Sequence, residues 1–141
     1  MPQDPPAAPT SNMLMRLYLL LFVLLVVPIA LSYGLAPATT LPRALNVTVS
    51  GTDLTHIFRA LMCLYLGAAI FWAIGAFRPA WQRMAVIWAI FFAFSLAAGR
   101  LISLIVDGRP SLLLIVYLCL EIFGGLLGLA VLAAANRGLR R

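Results

Sequence analysis

Four apolar runs, at residues 14–35, 54–77, 80–106 and 111–135, occupy most of the chain. Each exceeds the ~20 residues an α-helix needs to cross a ~30 Å hydrocarbon core, so some tilt is expected. Lipid offers no hydrogen bonds to a peptide group, so a single segment can cross it only as a helix that satisfies its own backbone. The sequence therefore predicts an all-α integral membrane bundle of four transmembrane helices. Composition agrees: 64% of the residues are apolar and 10% charged, against about half and a quarter in a soluble domain. With a mean hydropathy of +1.06, a water-soluble fold could not hide its apolar side chains.

The segments between the runs are short. Residues 1–13 are rich in Pro and small polar side chains with no apolar period, and are expected to form a disordered cytoplasmic tail. The first run is longer than the ~7–15 residues of a signal-peptide core and reads as a true span, with Pro28 expected to kink it. Residues 36–53 form the longest connection, in which the alternation of Leu45, Val47 and Val49 suggests one short extended segment before Thr52 or Asp53 caps the next helix. Only Arg78 and Pro79 separate the second and third runs, which forces those helices to lie antiparallel and adjacent. Asp107-Gly108-Arg109-Pro110 has the composition of a tight turn, and residues 137–141 make a short basic tail on a transmembrane domain spanning 14–136.

The formal charge of +6 comes from ten arginines and no lysine, set against Asp4, Asp53, Asp107 and Glu121. With both ends inside, Arg16, Arg78, Arg83, Arg137, Arg140 and Arg141 are cytoplasmic, while Arg43 and Arg109 are outside. That excess predicts cytoplasmic N- and C-termini under the positive-inside rule. The arginines flank apolar runs singly or in pairs instead of forming a basic face, so no nucleic-acid partner is expected. Cys63 and Cys119 have neither CxxC spacing nor a His partner, and read as small core or lipid-facing side chains. No metal site, cofactor or catalytic motif is expected. Trp81 and Tyr33 suit interfacial belts, and Phe91, Phe92 and Phe94 suit packing or lipid contact.

Two arginines and the glutamate lie inside spans, where an ionised group costs about 2.5–3.5 kcal/mol and needs a partner or a purpose. At 1.5 Å per residue from the nearest helix start or turn, Arg59 is about 9 Å deep, Arg100 about 10 Å and Glu121 about 15 Å. They are expected to meet. Three- and four-residue spacing places His56, Arg59, Cys63 and Gly67 on one face of the second helix. The same spacing groups Arg100, Ser103 and Asp107 on the third and Glu121, Gly124, Gly125 and Gly128 on the fourth. His56, Arg59, Arg100, Ser103, Asp107 and Glu121 are the candidate site residues. They admit three readings: an ion-pair knot fixing helix order, a pocket for a lipid head group or quinone, or a proton-handling role for Glu121.

The run Thr52-Asp53-Leu54-Thr55-His56-Ile57-Phe58-Arg59-Ala60, with Leu64-Tyr65-Leu66-Gly67, Ala98-Gly99-Arg100-Leu101-Ile102-Ser103, Asp107-Gly108-Arg109-Pro110 and Glu121, resembles a bacterial family of small four-helix membrane proteins known as domain of unknown function 4345. The resemblance covers residues 50–125 and leaves out the tail and first span. It implies a bacterial inner-membrane location and matches Arg59, Arg100, Asp107 and Glu121 to the family's polar positions, with no activity attached. Small size, short loops and glycine stripes lead to the expectation of a non-enzymatic accessory or scaffold subunit of a larger membrane complex, surrounded by membrane lipids. The alternative is a binder or modifier of a lipophilic small molecule.

Overall fold

A computed structural model describes residues 9–138, and among these there are five helices and no strands. They are α1 (Pro9–Gly34), α2 (Pro37–Leu45), α3 (Thr52–Phe77), α4 (Pro79–Val106) and α5 (Leu112–Gly138). The stretches Asn12–Gly34, Thr52–Phe77, Pro79–Val106 and Leu112–Arg137 are long and apolar enough to cross a membrane. The four expected spans are thus all present, each within two residues of its expected ends. Helix α1 begins at Pro9, so residues 9–13 of the expected tail are helical; residues 1–8 and 139–141 lie outside the described residues.

The connection at 36–53 differs most from expectation. Most of it is helix α2, and an extended stretch follows only from residue 47. Pro37 sits in the first turn of α2, where its fixed φ suits a helix and its missing N–H is not needed. Asn46 ends it in the left-handed region, φ 56°, donating its N–H to the Leu41 carbonyl. Thr40 donates to the carbonyls of Ser32 and Ala36, tying the helix back to the end of α1. Leu41 is buried against Ala30, Tyr33 and Tyr65, whereas Thr39, Arg43 and Ala44 face outward. Helix α2 is therefore an amphipathic lid across one end of the bundle, called below the α2 end. The opposite end carries the Arg78-Pro79 link.

Gly51, not Thr52 or Asp53, is the residue before α3, and its φ of 86° is a conformation that L side chains rarely adopt. At the Pro79 end, extended Arg78 precedes Pro79 in the first turn of α4. At the α2 end, Asp107 closes α4 and Gly108, φ 91°, makes the turn to α5, as the composition predicts.

Helix α1 packs most extensively on α3, α4 on α5 and α3 on α4, while α3 and α5 do not meet. The order around the bundle is α1, α3, α4, α5, with α1 also touching α4 across it. Lipid is as apolar as leucine, so close approach and dispersion between helices must do what the hydrophobic effect does in water. Small residues make that approach possible. Ala68, Ala69, Gly75 and Ala76 on α3 and Ala85, Ala89 and Ala93 on α4 are all buried, and Gly75 stands against Ala85. A Cβ on Gly75 would strike the Ala85 methyl. On α5, Gly124, Gly125 and Gly128 receive Phe22, Phe94 and the pair Ile90 with Tyr18.

A run of aromatic rings threads this core from the α2 end towards the other. Phe58, Tyr33, Tyr65, Phe92, Trp72, Phe22 and Tyr18 stand in succession, with centroids 6.3, 5.8, 5.2, 5.0, 5.3 and 4.7 Å apart. All but the last pair are edge-to-face, the arrangement the ring quadrupoles favour. Tyr33 belongs to this column at 8% exposure and not to an interfacial belt, because α2 covers it. The Pro79 end is fastened by polar contacts instead: Gln82 Nε2 donates to the Asn12 carbonyl at 3.0 Å, and Arg83 Nη1 donates to Asn136 Oδ1 at 2.7 Å.

Candidate functional site: an ion pair at the end of a lipid-side crevice

Glycine decides where the site lies. Because Gly124 and Gly128 have no side chain, Tyr18 and Phe22 of α1 come up against the α5 backbone, and the Tyr18 hydroxyl donates to the Gly124 carbonyl at 3.1 Å. A crevice adjoins this contact between the same two helices. Leu21, Leu25 and Ile29 on α1 face Tyr117, Leu120, Glu121 and Phe123 on α5 across a crevice of about 310 Å³, floored by Phe92, Ala93 and Leu96 of α4, with Tyr65 behind. That volume is at the small end of ligand pockets, roughly 300–1,000 Å³. The rim residues Leu25, Leu120 and Phe123 are 44–61% exposed, so the mouth faces the surface that lipid covers.

Arg100 and Glu121 are the charged residues of the lining. Arg100 Nε donates to both carboxylate oxygens of Glu121 at 2.8 Å, and this is the one ion pair among the described residues. The side chains are 21% and 13% exposed. Arg100 lies six residues before the end of α4 and Glu121 nine residues after the start of α5, which places them about 9 and 13 Å from the α2 end. At that depth each partner spares the other the cost of an isolated ion in hydrocarbon. The guanidinium lies over the Tyr117 ring, 5.4 Å from its centroid, a cation–π contact. Tyr33 approaches the same guanidinium.

The other expected members of the cluster are elsewhere. Arg59 and His56 are exposed on α3, which does not touch α5, and Arg59 forms no ion pair among the described residues. Cys63 and Gly67 share that outward face. Spacing had correctly grouped these four residues, but they occupy the wrong side of the helix. Trp72, fully buried, is nine residues from Cys63, which at 3.6 residues per turn is half a turn away. Ser103 donates to Asp107 at 2.6 Å, and both are exposed at the end of α4, outside the crevice. Residue-type reasoning missed Tyr33, Tyr65 and Tyr117, the aromatic surroundings of the guanidinium. Tyr65 at three- and four-residue steps from Ala68, Ala69, Trp72 and Ala76 was the available signal.

These features define a multi-pass α-helical membrane protein with one paired charge inside its apolar part. Within that class the chain belongs to the family described as Domain of unknown function (DUF4345), whose profile matches residues 14–132. The match takes in the first span, which the resemblance read from the sequence had left out. No curated protein and no solved structure matches the chain.

Proposed function

We propose that this protein holds a lipophilic small molecule of the bilayer between α1, α4 and α5. Its polar head rests against Arg100 and Glu121 and its tail lies along the apolar walls. The supporting observation is that a partly accessible ion pair sits within an otherwise apolar crevice whose rim is exposed on the lipid side. A charge pair serving only to lock helices would be expected at a closed contact such as that of Gly75 on Ala85 between α3 and α4. The test is native mass spectrometry of the protein taken directly from membranes. A lipid-sized adduct should be retained by the parent and by Met84→Ala, which alters an outward face, and lost from Arg100→Ala. Equal occupancy in all three would end the proposal.

A second reading, an accessory subunit of a larger membrane complex, is supported by Arg59. It is a cationic side chain about 10 Å from the start of α3 on an outward face, where a partner's carboxylate would stabilise it. In that case Arg59→Ala should release a stoichiometric partner in mild detergent while Arg100→Ala does not; a protein that runs alone in both backgrounds would refute it. We further propose a bacterial inner-membrane location from the family resemblance, and cytoplasmic termini from the arginine count. The crevice would then lie in the outer half of the bilayer. A cysteine in the Asp107 turn that is labelled by an impermeant reagent from the cytoplasmic side would reverse that orientation.

A further inference from the structure

Resting on the reading of the crevice as a binding site, we infer that its occupant is an uncharged amphiphile with a carbonyl-bearing head, of the kind a prenylated benzoquinone represents, and not an anionic lipid. Three observations support this. Arg100 and Glu121 already neutralise one another through Nε and both carboxylate oxygens, so an anionic head would leave a net negative charge in the crevice. Among the described residues no further cation lines the crevice to absorb it, since Arg59 is on the outward face of α3. An uncompensated charge at such depth corresponds to a loss of about a hundredfold in affinity.

The remaining donors suit a neutral acceptor. Nε of Arg100 is committed to Glu121 and Tyr33 stands beside the guanidinium, but Nη1 and Nη2 together carry four N–H groups, more than one phenol oxygen can take up. Neither is among the fully enclosed unpartnered atoms, which are Trp72 Nε1, Gln82 Oε1 and Ser111 Oγ. A carbonyl oxygen accepts from such groups without bringing charge. Depth gives the third argument. Phospholipid phosphates lie outside the hydrocarbon core, whereas this pair is about 9–13 Å from the α2 end of the spans. A head that reaches it must pass below the helix ends, which favours one that carries no net charge. Tyr65, Phe92 and Tyr117 give that head flat aromatic neighbours.

The full-length protein in phosphatidylcholine nanodiscs, doped in turn with a prenylated benzoquinone, a diacylglycerol, oleate and phosphatidic acid at equal mole fraction, tests this by native mass spectrometry. The benzoquinone should be retained at least tenfold over oleate and phosphatidic acid, and tenfold less by Arg100→Ala. Should that variant fold poorly, the double variant Arg100→Met with Glu121→Leu removes both charges together and should lose the benzoquinone equally. Preference for diacylglycerol over the quinone would keep the neutral carbonyl head and change its carrier. Preferential retention of oleate or phosphatidic acid would overturn the inference while leaving the binding site in place. Retention of none of the four would overturn both.

Discussion

The pair of Arg100 and Glu121 should behave as a unit, and a double-mutant cycle measures how strongly. Removing Arg100 as Arg100→Met leaves a carboxylate about 13 Å from the α2 end on a side chain too short to reach the interface. An isolated ion there costs about 3 kcal/mol on insertion scales, and breaking a buried pair about 3–5 kcal/mol. Glu121→Leu leaves an arginine only about 9 Å deep. Its stem can carry the guanidinium towards the interface, so a cost of about 1–2 kcal/mol is expected. The double variant puts apolar groups of similar volume at both positions and should return to within about 1 kcal/mol of the parent. The coupling, the two single losses together less that of the double variant, is then about 3–7 kcal/mol, inside the range measured for close charge pairs. Reversible unfolding of the four proteins in mixed micelles of increasing dodecyl sulfate content gives each stability. If the two single effects simply add to within about 0.5 kcal/mol, the pair is not coupled and the account of the site fails.

Gly75→Ala should destabilise the bundle by about 1–3 kcal/mol in the same assay, because the Ala85 methyl it meets has no rotamer by which to yield. Gly67→Ala, with open space around its added methyl, should be neutral or slightly stabilising; equal losses at both glycines would show that close packing of α3 on α4 is not the cause. Tyr18→Phe removes the hydrogen bond to the Gly124 carbonyl and should cost about 0.6–1.7 kcal/mol, with no change taken as evidence that ring packing alone holds α1 to α5. Arg59→Ala should leave stability within about 0.5 kcal/mol, since the side chain is exposed and unpaired among the described residues. A loss above 2 kcal/mol would place it in a buried contact after all.

The spans were legible because lipid imposes one rule on every residue of a segment, and length with hydropathy expresses it directly. The meeting of Arg100 and Glu121 was legible for a related reason: two opposite charges at matching depth on adjacent antiparallel helices have few other ways to lower their energy. Periodicity could group His56, Arg59, Cys63 and Gly67 but could not say which way they face. In water, polarity separates outside from inside; in lipid both sides of a helix are apolar, and the discriminating signal is the small residues that permit close approach. Ala68 and Gly75, half a turn round α3 from Arg59, carried that signal. Helix α2 was hidden by its two prolines and by the β-branched alternation that follows it, although Leu41 and Leu45 stand one turn apart on a single side. Tyr33 was misplaced in consequence, since only the helix above it makes it a core residue.

The touch of Tyr18 on Gly124 lies at the edge of the crevice. Phe22 and Gly124 both line the crevice, so the place where α1 meets α5 and the wall of the crevice share the same residues. A methyl added at Gly124 would come within 3.0 Å of the Phe22 ring, which must then give way, so this one position would reshape the crevice wall without altering Arg100 or Glu121.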